Sequence, residues 1–167
     1  MKYNTDNLVD AKLTPEQLAW GTSGDPVLTS AFDKEFEKAQ NPLVTWTAAS
    51  LNLYDSVSMR FKFTTEEAVE GLTLKIKGES GGEWSISPEE FELKDGVYSV
   101  LFSGLNAGQM SEKVYLTIYK GDTAVSDTVC YSIESYAYAK QNSDIAHLAD
   151  LVKAMMNYGN AAAAYVK

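Results

Sequence analysis

The side chains that could do chemistry in this chain fall into three groups. Carboxylates come in adjacent runs, Glu66-Glu67 and Glu89-Glu90, with Glu92 close behind. Two carboxyls held at a suitable separation can hydrolyse a glycoside. Adjacent acids in a loop have no such separation built in, and solvated surface charge is the plainer reading. The second group is one histidine, His147, and one cysteine, Cys130. Single copies exclude an internal disulfide and any metal site or relay that needs several of either. Cys130 lies between Val129 and Tyr131 in a strand-like run, where a buried thiol is inert unless a cation lowers its pKa. His147 flanks a helical stripe and reads as a solvated or capping residue. The third group is aromatic. The apolar face of a pyranose stacks on Trp or Tyr while polar groups take its hydroxyls. In the run from Val114, alternation sends Val114, Leu116 and Ile118 inward and leaves Tyr115 and Tyr119 together on the opposite face. Tyr115, Tyr119 and Trp84 are the candidate ligand residues. Trp20, Trp46 and Trp84 could be anchors but read first as ordinary core, because large aromatics are mostly buried. No residue is assigned a catalytic or metal role, and no cofactor is expected.

Two further chemistries are weaker. Asp95-Gly96, Gly121-Asp122 and Asp127 could offer oxygens to calcium, but no EF-hand spacing is present and these read first as turns. A Lys62–Asn52 cross-link near Glu70 is conceivable, and the loss of ammonia would reveal it by mass.

These residues need elements to hold them. The chain has 167 residues and a net charge of −9, with 45% hydrophobic and 22% charged residues, which suits one domain with a core rather than a disordered chain. Arg60 is its one arginine, so the basic footprint that phosphate backbones demand is missing and nucleic acid is not an expected partner. The overall acidity likewise argues against anionic partners. No apolar run is long enough to span a bilayer, and residues 1–6 carry no signal-peptide core.

Three zones follow from charge and period. In residues 1–42, Thr14-Pro15-Glu16-Gln17 opens a short helix through Trp20, because Thr14 can cap free amides and Pro15 suits the first turn. Phe32 and Phe36 suggest another helical turn before Asn41-Pro42. Residues 43–133 switch to period two. Val57, Met59, Phe61 and Phe63 alternate with Ser58, Arg60 and Lys62, and Leu72, Leu74 and Ile76 with Thr73, Lys75 and Lys77. Leu51 and Leu53, Trp84 and Ile86, Phe91 and Leu93, Tyr98–Phe102, Val114–Ile118 and Val125–Ile133 add further strands. Tyr54-Asp55-Ser56, the glycines of 78–82, Asp95-Gly96, Gly104–Gly108 and Gly121-Asp122 supply turns. Without helix-length connections, roughly seven or eight short strands predict an antiparallel, Ig-like β-sandwich. Residues 134–167 switch again: from Ser143 on, Leu148, Leu151, Val152, Met155, Met156, Gly159, Ala162, Ala163 and Val166 form one apolar stripe on a C-terminal helix. Gly159 costs such a helix about 1 kcal/mol against alanine, so close packing is the reason to expect it there.

Three segments together resemble a known module: Ser50–Leu53 running into Ser58–Phe61, then Tyr131–Tyr138, and above all the tail Leu151-Val152-Lys153-Ala154-Met155-Met156-Asn157-Tyr158-Gly159-Asn160-Ala161-Ala162-Ala163-Ala164-Tyr165. That poorly characterised module recurs in large secreted or surface-attached multimodular proteins of Gram-positive, often gut-dwelling bacteria. The resemblance implies a non-catalytic spacer, repeat or adhesion unit outside the cell, not an enzyme. Its implied partners are neighbouring modules of the same polypeptide, with glycans or surface proteins as further partners and no membrane insertion. A carbohydrate-binding module using exposed aromatics is the alternative. In such proteins a segment like Lys2–Ala11 follows the alanine-rich helix, which suggests a tandem array with residues 2–13 at a junction between repeats.

Overall fold

The computed structural model describes residues 37–53 and 57–165, so the N-terminal helices expected near Thr14 and Phe32, and the turn at 54–56, lie outside the described residues. Among the described residues nine strands run β1 (Val44–Asn52), β2 (Ser58–Thr65), β3 (Leu72–Gly78), β4 (Glu83–Ile86), β5 (Glu92–Lys94), β6 (Val97–Phe102), β7 (Val114–Lys120), β8 (Thr123–Ala124) and β9 (Val129–Tyr131). They form two antiparallel sheets. Sheet A has the order β1-β2-β6-β5. Sheet B has the order β4-β3-β7, with β8 and β9 sharing the far edge of β7. The antiparallel sandwich expected from the alternation is what forms.

The period-two rows face each other across the core. Phe61 and Phe63 from β2, Val100 from β6, Leu72, Leu74 and Ile76 from β3, and Val114, Leu116 and Ile118 from β7 are all buried. Aromatic rings join the two layers edge-on: Phe61 with Tyr131 at 5.7 Å, and Phe102 with Trp84 at 5.0 Å. Offset and T-shaped pairs are favoured because the positive ring edge meets the negative face. Strand β1 is longer than the Leu51–Leu53 segment read from sequence. A bulge at Thr47 shifts its phase, so Val44 and Trp46 face inward before it and Ala49 and Leu51 after it. An extra residue in one strand breaks strict alternation, which is why Val44 and Trp46 did not read as a strand.

The turns follow residue chemistry. Asp95 (φ 51°) and Gly96 (φ 79°) close the β5–β6 hairpin between Lys94 and Val97, both in the left-handed region that a type I′ turn requires. Gly121 (φ 62°) opens the two-residue β7–β8 turn.

The C-terminal zone contains two helices rather than one. The last strand stops at Tyr131, short of the expected Ile133, and α1 (Ile133–Lys140) begins at once, capped by the Ser132 hydroxyl accepting from Ser135 N at 3.0 Å. Glu134 in its first turn and Lys140 in its last suit the helix dipole. The second helix, α2 (Leu148–Tyr165), starts five residues later than the Ser143 suggested by the stripe. Ile145 N donates to Ser143 Oγ and Leu148 N to Ile145 O, and His147 holds φ at 62°, so a turn occupies the intervening residues.

Candidate functional site

The three candidate ligand residues do not come together. Tyr115 and Tyr119 lie on the outer face of sheet B, whereas Trp84 pairs with Ile76 on the inner face and packs on Phe102. Trp84 is therefore half-buried and packed against the hydrophobic core. The tyrosines are half-buried. The Lys75 ammonium sits 4.5 Å from the ring centroid of Tyr119, a cation–π contact that covers one ring face. Tyr115 pairs with Cys130, and Cys130 and the intervening Thr117 are both buried although they share that outer face. This part of the sheet is covered rather than open.

The carboxylates serve the surface. Glu67 pairs with Lys120 at 3.3 Å, and Glu92 lies 3.8 Å from Arg60, which also donates to Ser99 Oγ. Glu90 accepts from Ser87 N across the short 3-10 turn Pro88–Glu90. Glu66 and Glu89 are exposed. The aspartates considered for calcium are dispersed, and no group of three or more His, Cys, Asp or Glu residues is placed to hold a metal among the described residues. Asn52 sits opposite Ser58 and Lys62 opposite Ala48, four places apart on the β1–β2 ladder. That is roughly 13 Å at the rise of an antiparallel strand, too far for the imagined cross-link.

Sequence reasoning missed two concave sites. The first, about 240 Å³, lies between the start of β1 and the edge of sheet B, lined by Lys38, Pro42, Val44, Thr45, Trp46, Asp127 and Val129. Asp127 is the knot there. Its carboxylate meets Lys38 Nζ at 2.6 Å and accepts from Ala39 N, while its carbonyl accepts from Trp46 Nε1 at 2.9 Å. The Lys38 hydrogen bond holds its carboxyl below the usual range despite partial burial.

The second recess, about 400 Å³, lies at the end of the sandwich where α2 docks. Its lining comes from Val57, Leu105, Ala107, Met110 and Ile133, with Ser103, Asn106 and Tyr158 supplying polar atoms. Close backbone approach builds it. A Cβ at Gly108 would lie 3.2 Å from Ala163 Cα, and one at Gly159 3.1 Å from Ala107 O and 2.8 Å from Met110 Sδ. The expectation that Gly159 serves close packing is thus met, against the 3-10 turn Ala107–Gln109 rather than the sheet itself. Asn106 caps this turn: Oδ1 accepts from Gly108 N at 2.9 Å, and its own N–H donates to Gln109 Oε1. Tyr158, on α2, is 64% exposed and borders the recess. An exposed aromatic on the outer side of an apolar helix stripe was the available signal. Nearby, Glu134 is held above the usual carboxylate range by burial, and a hydrogen bond with Ser111 works the other way.

Comparisons with known proteins find little. No protein-family model matches the chain, and no curated protein matches it. Among solved structures, the chitinase ChiW of Paenibacillus sp. str. FPU-7, described as a bacterial cell-surface-expressed multi-modular enzyme machinery, is 19% identical with a TM-score of 0.39. The likeness covers 57% of this chain and 8% of that one. A likeness so slight assigns no function. No helix among the described residues is long and apolar enough to cross a membrane.

Proposed function

We propose that this chain is a non-catalytic module of an extracellular bacterial multimodular polypeptide, acting through its surfaces as a spacer, repeat or adhesion unit. The observation that carries the non-catalytic reading is the chemistry of the two recesses. The described residues lining one are apolar or neutral polar. The other holds one carboxylate, Asp127, already neutralised by Lys38. Acid–base hydrolysis needs two groups with separated pKa values facing one substrate, and the described residues of neither lining offer such a pair. The multimodular, extracellular part of the reading rests on the resemblance of the tail motif.

The test is a turnover assay with the purified chain on a panel of polysaccharides and peptides, following new reducing ends and new amines. No product is expected. Turnover that survives repurification and is lost in Glu134→Gln, the one half-buried carboxyl with a raised pKa near a recess, would overturn the reading. A glycan-binding role for the outer face of sheet B is the second reading, favoured by Tyr115 and Tyr119 sharing that face. Retention on a polysaccharide that Tyr115→Ala or Tyr119→Ala abolishes would establish it.

A further inference from the structure

We infer that the recess beneath Tyr158 is a binding subsite for one neutral pyranose ring, a proposal that rests on the non-catalytic reading and names the class of ligand such a module would take. The lining itself narrows the ligand. Among the described residues that line it there is no Lys, Arg, Asp, Glu or His, although the chain carries a net charge of −9. A charged ligand would lose hydration there without gaining a counter-charge from any of these residues, which favours an uncharged occupant. The surface is also two-sided: Val57, Leu105, Ala107, Met110 and Ile133 are apolar, while Ser103, Asn106 and Tyr158 bring a hydroxyl, a carboxamide and a phenol. A purely aliphatic ligand would leave those polar groups unanswered. A pyranose presents an apolar C–H face for an aromatic ring and hydroxyls at its edge for amides and hydroxyls. The volume, about 400 Å³, is at the small end of ligand sites.

The polar groups are held in advance. The Asn106 carboxamide is held by its Oδ1 accepting from Gly108 N, and no hydrogen bond among the described residues uses its Nδ2, so none of them competes with a ligand for that amide. The backbone beneath is fixed in turn by the Gln109 bond and by α2 packing on Gly108. Tyr158 projects from a helix anchored by the buried Val152, Met155 and Met156, so its place beside the recess is set by the fold. Fixing groups before binding lowers the entropic cost of ordering them. The site differs from the sheet B tyrosines, where Lys75 already occupies a face of Tyr119.

The experiment is an NMR titration of the intact chain with cellotetraose, xylotetraose, mannotetraose and chitotetraose, following the Asn106 side-chain amide and the Tyr158 ring. A saturable shift of both with at least one sugar is expected, with Kd in the millimolar range, about −4 kcal/mol. Tyr158→Ala, an exposed position that leaves folding intact, weakens binding roughly tenfold, the size of one aromatic stacking contact. Asn106→Asp keeps the acceptor that caps the turn but removes the amide donor, and it too weakens binding. Tyr119→Ala leaves it unchanged. No saturable shift with any of the four sugars, or binding indifferent to Tyr158→Ala, overturns the proposal and leaves the non-catalytic reading standing. Release of new reducing ends during the titration would instead overturn that reading.

Discussion

The interior between the sheets and the seam under α2 are built on opposite principles. Between the sheets, cohesion comes from volume: Phe61, Phe63, Phe91, Phe102, Trp46, Trp84 and Tyr131 fill the space with edge-on contacts. Under α2, cohesion comes from the lack of volume. Gly108 and Gly159 let a helix and a turn approach so closely that an added Cβ would meet Ala163 at the first and Met110 and Ala107 O at the second. The lesson is that the same kind of substitution has opposite consequences in the two places, because a core suffers from lost atoms and a close seam from added ones.

Deleting volume tests the first half of that contrast. Phe61→Ala should lower stability by about 3–5 kcal/mol, the cost of a buried aromatic removed from a packed core, read from the urea midpoint at constant m. Adding volume tests the second. Gly159→Val should cost about 1–3 kcal/mol through collision with Met110 and Ala107 O, even though valine has the better helix propensity. In a Met110→Ala background that penalty should shrink, since the two residues touch and their effects do not add. A stable Gly159→Val protein would show that the seam can open and would erase the contrast.

Smaller effects separate the seam's anchors. Ser132→Ala removes the cap of α1 and should cost about 1 kcal/mol by thermal melting. Asp127→Ala, at the other recess, should cost about 1 kcal/mol or less at neutral pH, because Lys38 is largely exposed and water screens the pair.

Acid titration gives the finest distinction. The folded-state pKa of Asp127 is depressed, so its contribution is present above the ordinary aspartate value and is lost as pH falls through the lower folded value. Glu134 has the reverse sign. Its folded pKa is raised, so its effect is most favourable at low pH and fades as pH rises through the ordinary glutamate value to the raised one. Urea midpoints measured from pH 3 to 7 should therefore fall less steeply on acidification for Asp127→Asn and more steeply for Glu134→Gln than for the parent.

The legible part of this fold was the part with strict periodicity. The cores of β2, β3 and β7 were readable because each inward position is apolar and each outward one polar, an alternation that only an extended chain can satisfy. The I′ turn at Asp95-Gly96 was readable because so few residues tolerate two successive left-handed conformations. Strand β1 was half hidden by its bulge, and α1 by its tyrosines. Ile133, Tyr136 and Tyr138 continue the aromatic, β-favouring character of the preceding strand, while the helix signal is confined to Ser132, Glu134, Ala137 and Lys140. The candidate site was less legible. The sequence marks Tyr115, Tyr119 and Trp84 as aromatic, and alternation puts the first two on one face. It does not say that Lys75 lies over Tyr119, or that Phe102 comes across the sandwich to Trp84.

What the sequence determined by itself is local: an antiparallel sandwich from period two, a closing helix from period three to four, and a glycine within that helix that signals close approach. The tertiary structure alone decided where those surfaces meet. It joined Asn106, Met110, Ile133 and Tyr158, which are distant in the chain, into one recess, and it tied Asp127 to Lys38. Periodicity depends on backbone geometry that repeats over a few residues and is written in neighbours. A recess depends on which elements dock, and that is fixed by the packing of the whole core.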